Sequence, residues 1–506
     1  MSDKARNAPD GIVTASPCRL QFTIAGNVAR PPGWRVIDLG ESGVLGYHPE
    51  LSVTDVSTPH HRLLLLGDLL DWAGPELDNA RILERIAAGC ESLEDVIRAT
   101  RELGGRWALL RLADGKADLF HDAAGMRSVC YAKTATGQIA VASDQGMLAR
   151  IAGLEPCLEA RKFVDGFSRR VSQWWLPGDG QLFRGAKQLL PNHRLNLRTG
   201  ETTRYWNGDP APEDSAEECM TRATARLSGL LRAAARRYPL AIGLSAGWDS
   251  RLILSACRDI RQEIRAYSTA PRAQRIAGVD ARLPEHICRR AGVRHDLLTP
   301  PASPTAAFDS AFTEHVFRPL PEFTPYMETE LAYSGGKVAG VTGNIAEIVK
   351  LPYAGKTEVE AFDDRDPAQL ARLVRMHDFA YAEAAIGRWR EEAAVEGSLT
   401  VPELFYWENR CGRWLSRNAL MFDIGWREIV MPLNCRALLV DLLALPRTLR
   451  QRPGCQAFNW MIKSQWPELL DVPVVSKEAP SRPRRLLTDA RQALRRVLRS
   501  RKSDRR

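Results

Sequence analysis

Between residues 239 and 268 two short apolar runs bracket a glycine-containing turn and a helical segment, and this constrains the fold more than anything else in the chain. Pro239-Leu-Ala-Ile-Gly-Leu244 reads as a buried strand, Ser245-Ala-Gly-Trp-Asp-Ser250 as a tight junction, residues 250–258 as a helix, and Glu263-Ile-Arg-Ala-Tyr-Ser268 as a second strand. An amphipathic pattern over 216–236 precedes them. Strands alternating with helices imply a parallel sheet covered by helices, because a parallel pair needs a crossover. The segment 402–470 reads as mainly helical.

The first 200 residues have a different texture. Arg62-Leu-Leu-Leu-Leu-Gly67, Trp107-Ala-Leu-Leu-Arg-Leu112 and Gln138-Ile-Ala-Val-Ala-Ser143 are short apolar runs separated by Gly, Asp and Pro. Hairpin turns are expected at Asp114-Gly115 and Thr199-Gly200. Helices are expected over 79–88 and 93–103, and Cys18 is expected inside a first strand. The polar, turn-forming stretch 206–215 reads as a linker. The expected organisation is therefore a β-rich domain over 1–207, an α/β domain over 215–480 and a tail over 481–506. A chain of 506 residues exceeds one ordinary core, which agrees with that division.

Charge excludes one function class. Residues 481–506 carry eleven Arg or Lys and two Asp, so the whole net charge of +9 sits there and the remaining body is neutral. A nucleic-acid-binding body is not expected. The tail places Leu487, Ala490, Leu494, Val497 and Leu498 near one helical face, which fits an anionic membrane surface or an acidic partner; the alternative is a solvated, frayed helix. No run of about 18 apolar residues is present. The ten cysteines form no C-x-x-C pair, so neither a disulfide framework nor a structural zinc site is expected. The start of the chain lacks a signal-peptide pattern, and a cytoplasmic location is expected.

The junction at 245–250 carries chemistry. A strand feeding a helix start leaves backbone N–H groups free to meet an anion. Gly247 removes a Cβ where phosphate must approach, Ser245 and Ser250 add hydroxyls, and Asp249 can hold a Mg²⁺ on pyrophosphate. The alternative is an ordinary turn with Asp249 and Ser250 as helix caps.

This segment resembles the S-G-G-x-D-S loop of the asparagine synthetase family, with Ala246 replacing a glycine. The similarity extends along the chain in the same order. Gly105-Arg-Trp-Ala-Leu-Leu110, Phe120-His-Asp-Ala-Ala-Gly-Met-Arg127, Ala142-Ser-Asp144, and Gly185-Ala-Lys-Gln-Leu-Leu-Pro-Asn-His-Arg194 with Tyr205-Trp206 look like that family's class II glutamine amidotransferase domain. Arg427-Glu-Ile-Val-Met-Pro-Leu-Asn-Cys-Arg436 is similar to its E-x-R-x-P-F-L-D-x-R segment. The implied fold is α/β: an N-terminal nucleophile-type sandwich, then a parallel-sheet ATP-pyrophosphatase domain with a helical C-terminal part. The implied activity is an ATP- and Mg²⁺-dependent amide ligation through an acyl-AMP, taking a small-molecule or peptide carboxylate and an amine or ammonia.

The resemblance also implies roles for single residues. Leu244, Ser245, Gly247, Asp249, Ser250, Ser268 and Gly343 would form the nucleotide pocket. Val341-Thr-Gly-Asn-Ile-Ala-Glu347 looks like the family's second loop, with Glu347 as a metal carboxylate alongside Asp249, or else a helix-start charge. Asn344 stands where asparagine synthetases carry Glu and β-lactam synthetases Tyr; an amide is no general base but can orient substrate or an oxyanion. Lys477, in Val474-Val-Ser-Lys477, resembles the lysine of an R-P-K element that stabilises phosphate charge, or is a solvated loop lysine. Asp280 and Glu285 occupy acidic positions of the family or are surface charges. Glu408, Arg410 and Arg413 would line an acyl-acceptor pocket or form an internal ion-pair cluster.

The family's glutaminase uses a cysteine exposed after Met removal, whereas Ser2 follows Met1 here. Cys18 reads as a small buried apolar residue, so the first domain is expected to be a scaffold without glutaminase activity. Three outcomes follow from the resemblance: an asparagine synthetase-like ligase, a specialised cyclase or tailoring ligase similar to β-lactam synthetases or lasso-peptide cyclases, and a non-catalytic nucleotide-binding scaffold.

Overall fold

The structure is a computed structural model that describes residues 15–26, 30–210, 213–270, 279–357, 362–397 and 399–475. The expectations for Ser2, for Lys477 and for the basic tail lie outside the described residues.

The run of four leucines at 63–66 shows how the first half is layered. Leu64 and Leu66 pack with Phe22, Leu45, Leu110 and Val141 between two sheets, while Leu63 and Leu65 pack with Ile82, Leu83, Trp107 and Phe120 beneath two helices. Alternation along a strand sends neighbours to opposite faces, so a run that is apolar throughout marks a strand buried on both sides. Among the described residues, one antiparallel sheet runs edge to edge through Lys187–Gln188, Cys130–Lys133, Ile139–Ala142, Phe22–Ala25, Val44–Tyr47 and Arg35–Asp38. The second runs through Thr202–Arg204, His193–Asn196, Lys116–His121, Leu103–Ala113, Arg62–Asp71 and Val53–Ser57. Helices Asn79–Gly89 and Leu93–Ala99 cover the second sheet, and Gln145–Ala152 covers the first. The result is a helix–sheet–sheet–helix sandwich.

Two expectations are corrected here. The helix expected over 93–103 ends at Ala99 and gives way to a 3-10 turn, and Leu103 already begins an eleven-residue strand. Gly104 and Gly105 are poor helix residues, and the strand pairs with Arg62–Asp71 along its length. Cys18 is not in a strand. It sits at φ 55° in a turn that precedes Phe22–Ala25, and its thiol donates to the Glu314 carbonyl at 3.8 Å.

The second half is α/β, as expected. Its sheet is wholly parallel and runs through Arg294–Leu298, Ile264–Thr269, Leu240–Gly243, Ala339–Val341 and Ile429–Val430. Helix Ala216–Arg237 leads into the central strand with a capping box at Ser215 and Glu218. The segment after 402 is mainly helical, and its strand Ile429–Val430 completes the sheet. None of the described helices is long and apolar enough to cross a membrane.

The two halves meet through buried charge. Arg106 pairs with Asp423 at 2.7 Å and Glu428 at 3.0 Å, and Arg127 pairs with Glu428 at 2.6 Å. Asn434 donates to the Gly105 carbonyl at 2.7 Å and to Asp122 at 2.8 Å, and accepts from the Ala124 N–H at 2.9 Å. The stretch 206–210 is tied to the body as well: Asp209 accepts two bonds from Arg101, at 3.0 and 2.7 Å, and Trp206 packs on Trp407.

Glu330 lies buried under the parallel sheet, where the Trp426 indole donates to it at 2.6 Å. Burial outweighs that bond and pushes its carboxyl up to about 7. Between its ordinary value near 4.5 and about 7, the unfolded chain releases this proton while the fold retains it, so stability falls as pH rises through that window. The loss is on the order of 3 kcal/mol when the window is complete. Glu330→Gln is expected to remove this slope. Its unfolding free energy relative to wild type, from urea titrations, should improve by roughly 2–3 kcal/mol between about pH 5 and about pH 8. An unchanged difference would mean that Glu330 ionises normally.

Candidate functional site

The order of the parallel strands locates the site. The chain enters at Leu240–Gly243, adds two strands on one side, then returns to lay Ala339–Val341 and Ile429–Val430 on the other. Neighbouring strands whose connections leave in opposite directions open a crevice at their C-terminal ends, where α/β sheets bind ligands. The loops that leave these two strands are 244–247 and 342–345, the two that the sequence marks.

In the first loop, Ser245 Oγ lies 3.0 Å from Ser250 Oγ, and Ser250 Oγ accepts from the Ser245 N–H at 3.0 Å. These serines brace the turn on each other. The helix begins at Trp248, two residues earlier than expected, with Gly247 at its cap position and no side-chain cap. The capping alternative for Asp249 and Ser250 is therefore not realised, and among the described residues no side chain caps the first-turn N–H groups. A Cβ on Gly247 would meet nothing closer than Ser245 Oγ at 3.5 Å. Leu244 and Ser268 act behind the loop: Ser268 Oγ donates to the Leu244 carbonyl at 2.7 Å and lies 2.9 Å from His295 Nε2.

The second loop presses onto the first. A Cβ on Gly343 would fall 2.8 Å from the Asp249 backbone, so only glycine permits this approach. Ile345 follows at φ 80°, a left-handed conformation that costs a β-branched residue energy and that the packing must enforce. Asn344 is half-buried, and its backbone N–H donates to Thr342 Oγ1 at 3.2 Å.

Asp249 and Glu347 converge on one positive charge. Lys350 Nζ lies 2.6 and 2.7 Å from the two Asp249 oxygens and 2.5 Å from Glu347, and Arg452 pairs with Glu347 from the far side. Lys350 is buried, whereas both carboxylates are about one-third exposed. Neither cation was singled out in the sequence. The i,i+3 spacing of Glu347 and Lys350 is a visible signal; Arg452 comes from a distant segment and gives none. The ammonium stands where a shared cation would sit, so the donor set fits Mg²⁺, which takes one or two protein carboxylates and completes its shell with phosphate and water.

A third segment closes the loop from behind. Arg251, fully buried, donates to the carbonyls of Leu469 at 3.0 Å, Pro473 at 3.0 Å, Ala246 at 3.4 Å and also Val472. Burial without a carboxylate partner pulls its guanidinium down to about 10. The Val475 N–H donates to the Ala246 carbonyl at 3.0 Å.

The remaining candidates separate. Glu408 is fully buried and holds Asn192 at 2.8 Å, Trp389 at 2.8 Å and Arg204. Arg413 donates to the Leu176 and Gly180 carbonyls and to Gln188. Both are internal ties. Arg410 instead lines a cavity. Glu285 pairs with Arg289 at 2.7 Å, while the Asp280 side chain lies outside the described residues. Cys18 is buried, and burial pushes its thiol up to about 11, which suits a packing residue and not a nucleophile.

No protein-family model matches the chain, and no curated protein matches it. Among solved structures it is similar to a glutamine phosphoribosylpyrophosphate amidotransferase from B. subtilis complexed with ADP and GMP. The identity is 11%, covering 61% of this chain and 63% of that one, with a TM-score of 0.21. It is also similar to a structure described as the allosteric regulatory enzyme of purine biosynthesis, at 11% identity, 59% and 60% coverage and a TM-score of 0.22. The chain thus spans about three fifths of the length of each. Likeness this distant says nothing of activity.

Proposed function

We propose that the chain is an ATP-dependent, AMP-forming amide ligase of asparagine synthetase type. The observation that carries the reading is the convergence, at the switch point of the parallel sheet, of an uncapped helix start and two carboxylates that share one cation. A substrate carboxylate attacks the α-phosphorus of ATP and displaces pyrophosphate; an amine then attacks the acyl carbon, AMP leaves, and the amine's proton passes to solvent. The first-turn N–H groups after Gly247 and the Ser245 hydroxyl hold phosphate oxygens. Asp249 and Glu347 would hold Mg²⁺, which neutralises charge on the departing pyrophosphate. Asn344 orients the acyl group from the second loop, and Lys477, two residues beyond Val475, is assigned the developing phosphate charge. With Cys18 buried, the first half acts as a scaffold, and the amine is supplied from elsewhere than glutamine.

ATP–pyrophosphate exchange with a panel of carboxylic acids tests the proposal. Exchange above background with at least one acid, and none without acid, is expected. Nucleotide binding without exchange for any acid would favour the second reading, a nucleotide-binding scaffold, whose support is that Lys350 and Arg452 already neutralise both carboxylates.

A further inference from the structure

Beside the two loops lies a cavity of about 500 Å³ whose described wall contains four basic side chains, Arg170, Lys356, Arg375 and Arg410, and no acidic one. The volume is that of a small-molecule site. Three observations tie it to the nucleotide loop. Tyr353, three residues after Lys350, forms part of its wall. Tyr406, one turn before Arg410 on the same helix, packs against Tyr353 with ring centres 5.7 Å apart. That helix, Tyr406–Leu415, is a ten-residue π-helix, a wide form concentrated at functional sites, and it sets Tyr406, Arg410 and Trp414 along one side.

Arg410 is the unusual member. Its guanidinium lies 4.0 Å from the Trp414 ring centre and 5.7 Å from that of Trp175, and its hydrogen bond goes to Tyr406. Among the described residues no carboxylate pairs with it. Arg170, by contrast, is engaged by the His377 carbonyl at 2.7 Å and by Asp378. A guanidinium fixed between indole faces is a pre-oriented fork for a carboxylate, and removing it from water without a counter-ion is costly unless a ligand supplies one. Trp175, Tyr406 and Phe167 give the cavity an apolar, aromatic lining that an aliphatic or aromatic body fills.

We propose that this cavity seats the acyl substrate of the ligase, and that the substrate is an apolar carboxylic acid lacking an ammonium group, its carboxylate paired with Arg410. The substrate class rests on the ligase reading; the pocket's preference for an anion does not. An α-amino acid would bring a cation against a wall of four cations, which disfavours it.

The test uses full-length protein without nucleotide and three probes with the same body: 4-phenylbutyrate, 4-phenylbutylamine and 4-phenyl-1-butanol. Binding is read by calorimetry and by quenching of tryptophan fluorescence. The acid is expected to bind at least tenfold more tightly than the amine or the alcohol, and Arg410→Met to remove that preference. Equal binding of acid and amine by wild type would overturn the proposal, and so would an unchanged preference in a folded Arg410→Met protein; the wild-type comparison stands even if that variant does not fold. The two readings fail separately. Anion preference with no pyrophosphate exchange for any acid would leave the pocket as an anion site and refute the ligase. Exchange supported by α-amino acids but not by apolar acids would refute the substrate class and leave the ligase standing.

Discussion

Asp249→Asn is expected to lower ATP–pyrophosphate exchange by about 100- to 1000-fold, the range found when one preorganised charge-stabilising group is removed from a reaction centre. The substitution keeps the shape and one acceptor oxygen but deletes the charge. Asp249 stands in the first helical turn, against the backbone of Gly343, and holds Lys350 through both oxygens. In the variant the buried ammonium keeps Glu347, so the fold should persist, and thermal unfolding within a few degrees of wild type is the control. A hard cation on pyrophosphate needs charged oxygens, and an amide does not supply one. Nucleotide binding should weaken far less than exchange, because the uncapped helix start still meets the phosphates. Full exchange in Asp249→Asn would mean that the reaction centre lies elsewhere.

The second large effect is on stability. Arg106→Met should cost about 3–5 kcal/mol, the usual consequence of leaving a buried charge without its partner. Arg106 is the common partner of Asp423 and Glu428, all three are buried, and the arginine belongs to the sandwich while both acids belong to the second half. Glu428 would retain Arg127. Asp423 would be left without an ion-pair partner among the described residues. Urea titration of Arg106→Met against wild type measures the cost. Adding Asp423→Leu should recover a good part of it, because the pair can be replaced by apolar groups although neither member can be lost alone. A cost under about 1 kcal/mol for the single substitution would show that the network does not hold the halves together.

The sheets and the switch-point loop were legible because they rest on local signals. Four leucines in a row between turn residues read as a strand, and a strand, a glycine turn and a helix in succession point to a crossover. The boundary at 93–103 was misplaced because helical periodicity ran on into Leu103, which belongs to a strand and pairs there with Asp71, 32 residues earlier. The same limit hid Arg452 and Arg251, whose partners come from distant parts of the chain. Several motifs that resembled an amidotransferase have a plain structural use here. Asp122 accepts from the N–H groups of Trp107, Met126 and Arg127 and meets Asn434, while Asn192 bridges Glu408 and Arg436. Those residues hold the seam between the halves. Glu408, Arg410 and Arg413 could not be sorted from spacing alone, since a π-helix redistributes faces that α-helical counting assigns otherwise.

The hold of Arg251 on the backbone at Leu469, Val472 and Pro473 has a consequence for how the molecule is made. These contacts span 218 to 222 residues of sequence. A nascent chain can form the whole sandwich and all five strands of the parallel sheet while the loop at 244–247 still lacks a rear wall and Arg251 lacks its distant acceptors. This loop is thus written early and finished late, and contacts of such long separation form slowly. Until residues 469–475 emerge from the ribosome, the guanidinium has only water and the nearby Ala246 carbonyl to satisfy it, so the loop at 244–247 is among the last parts of the fold to be completed.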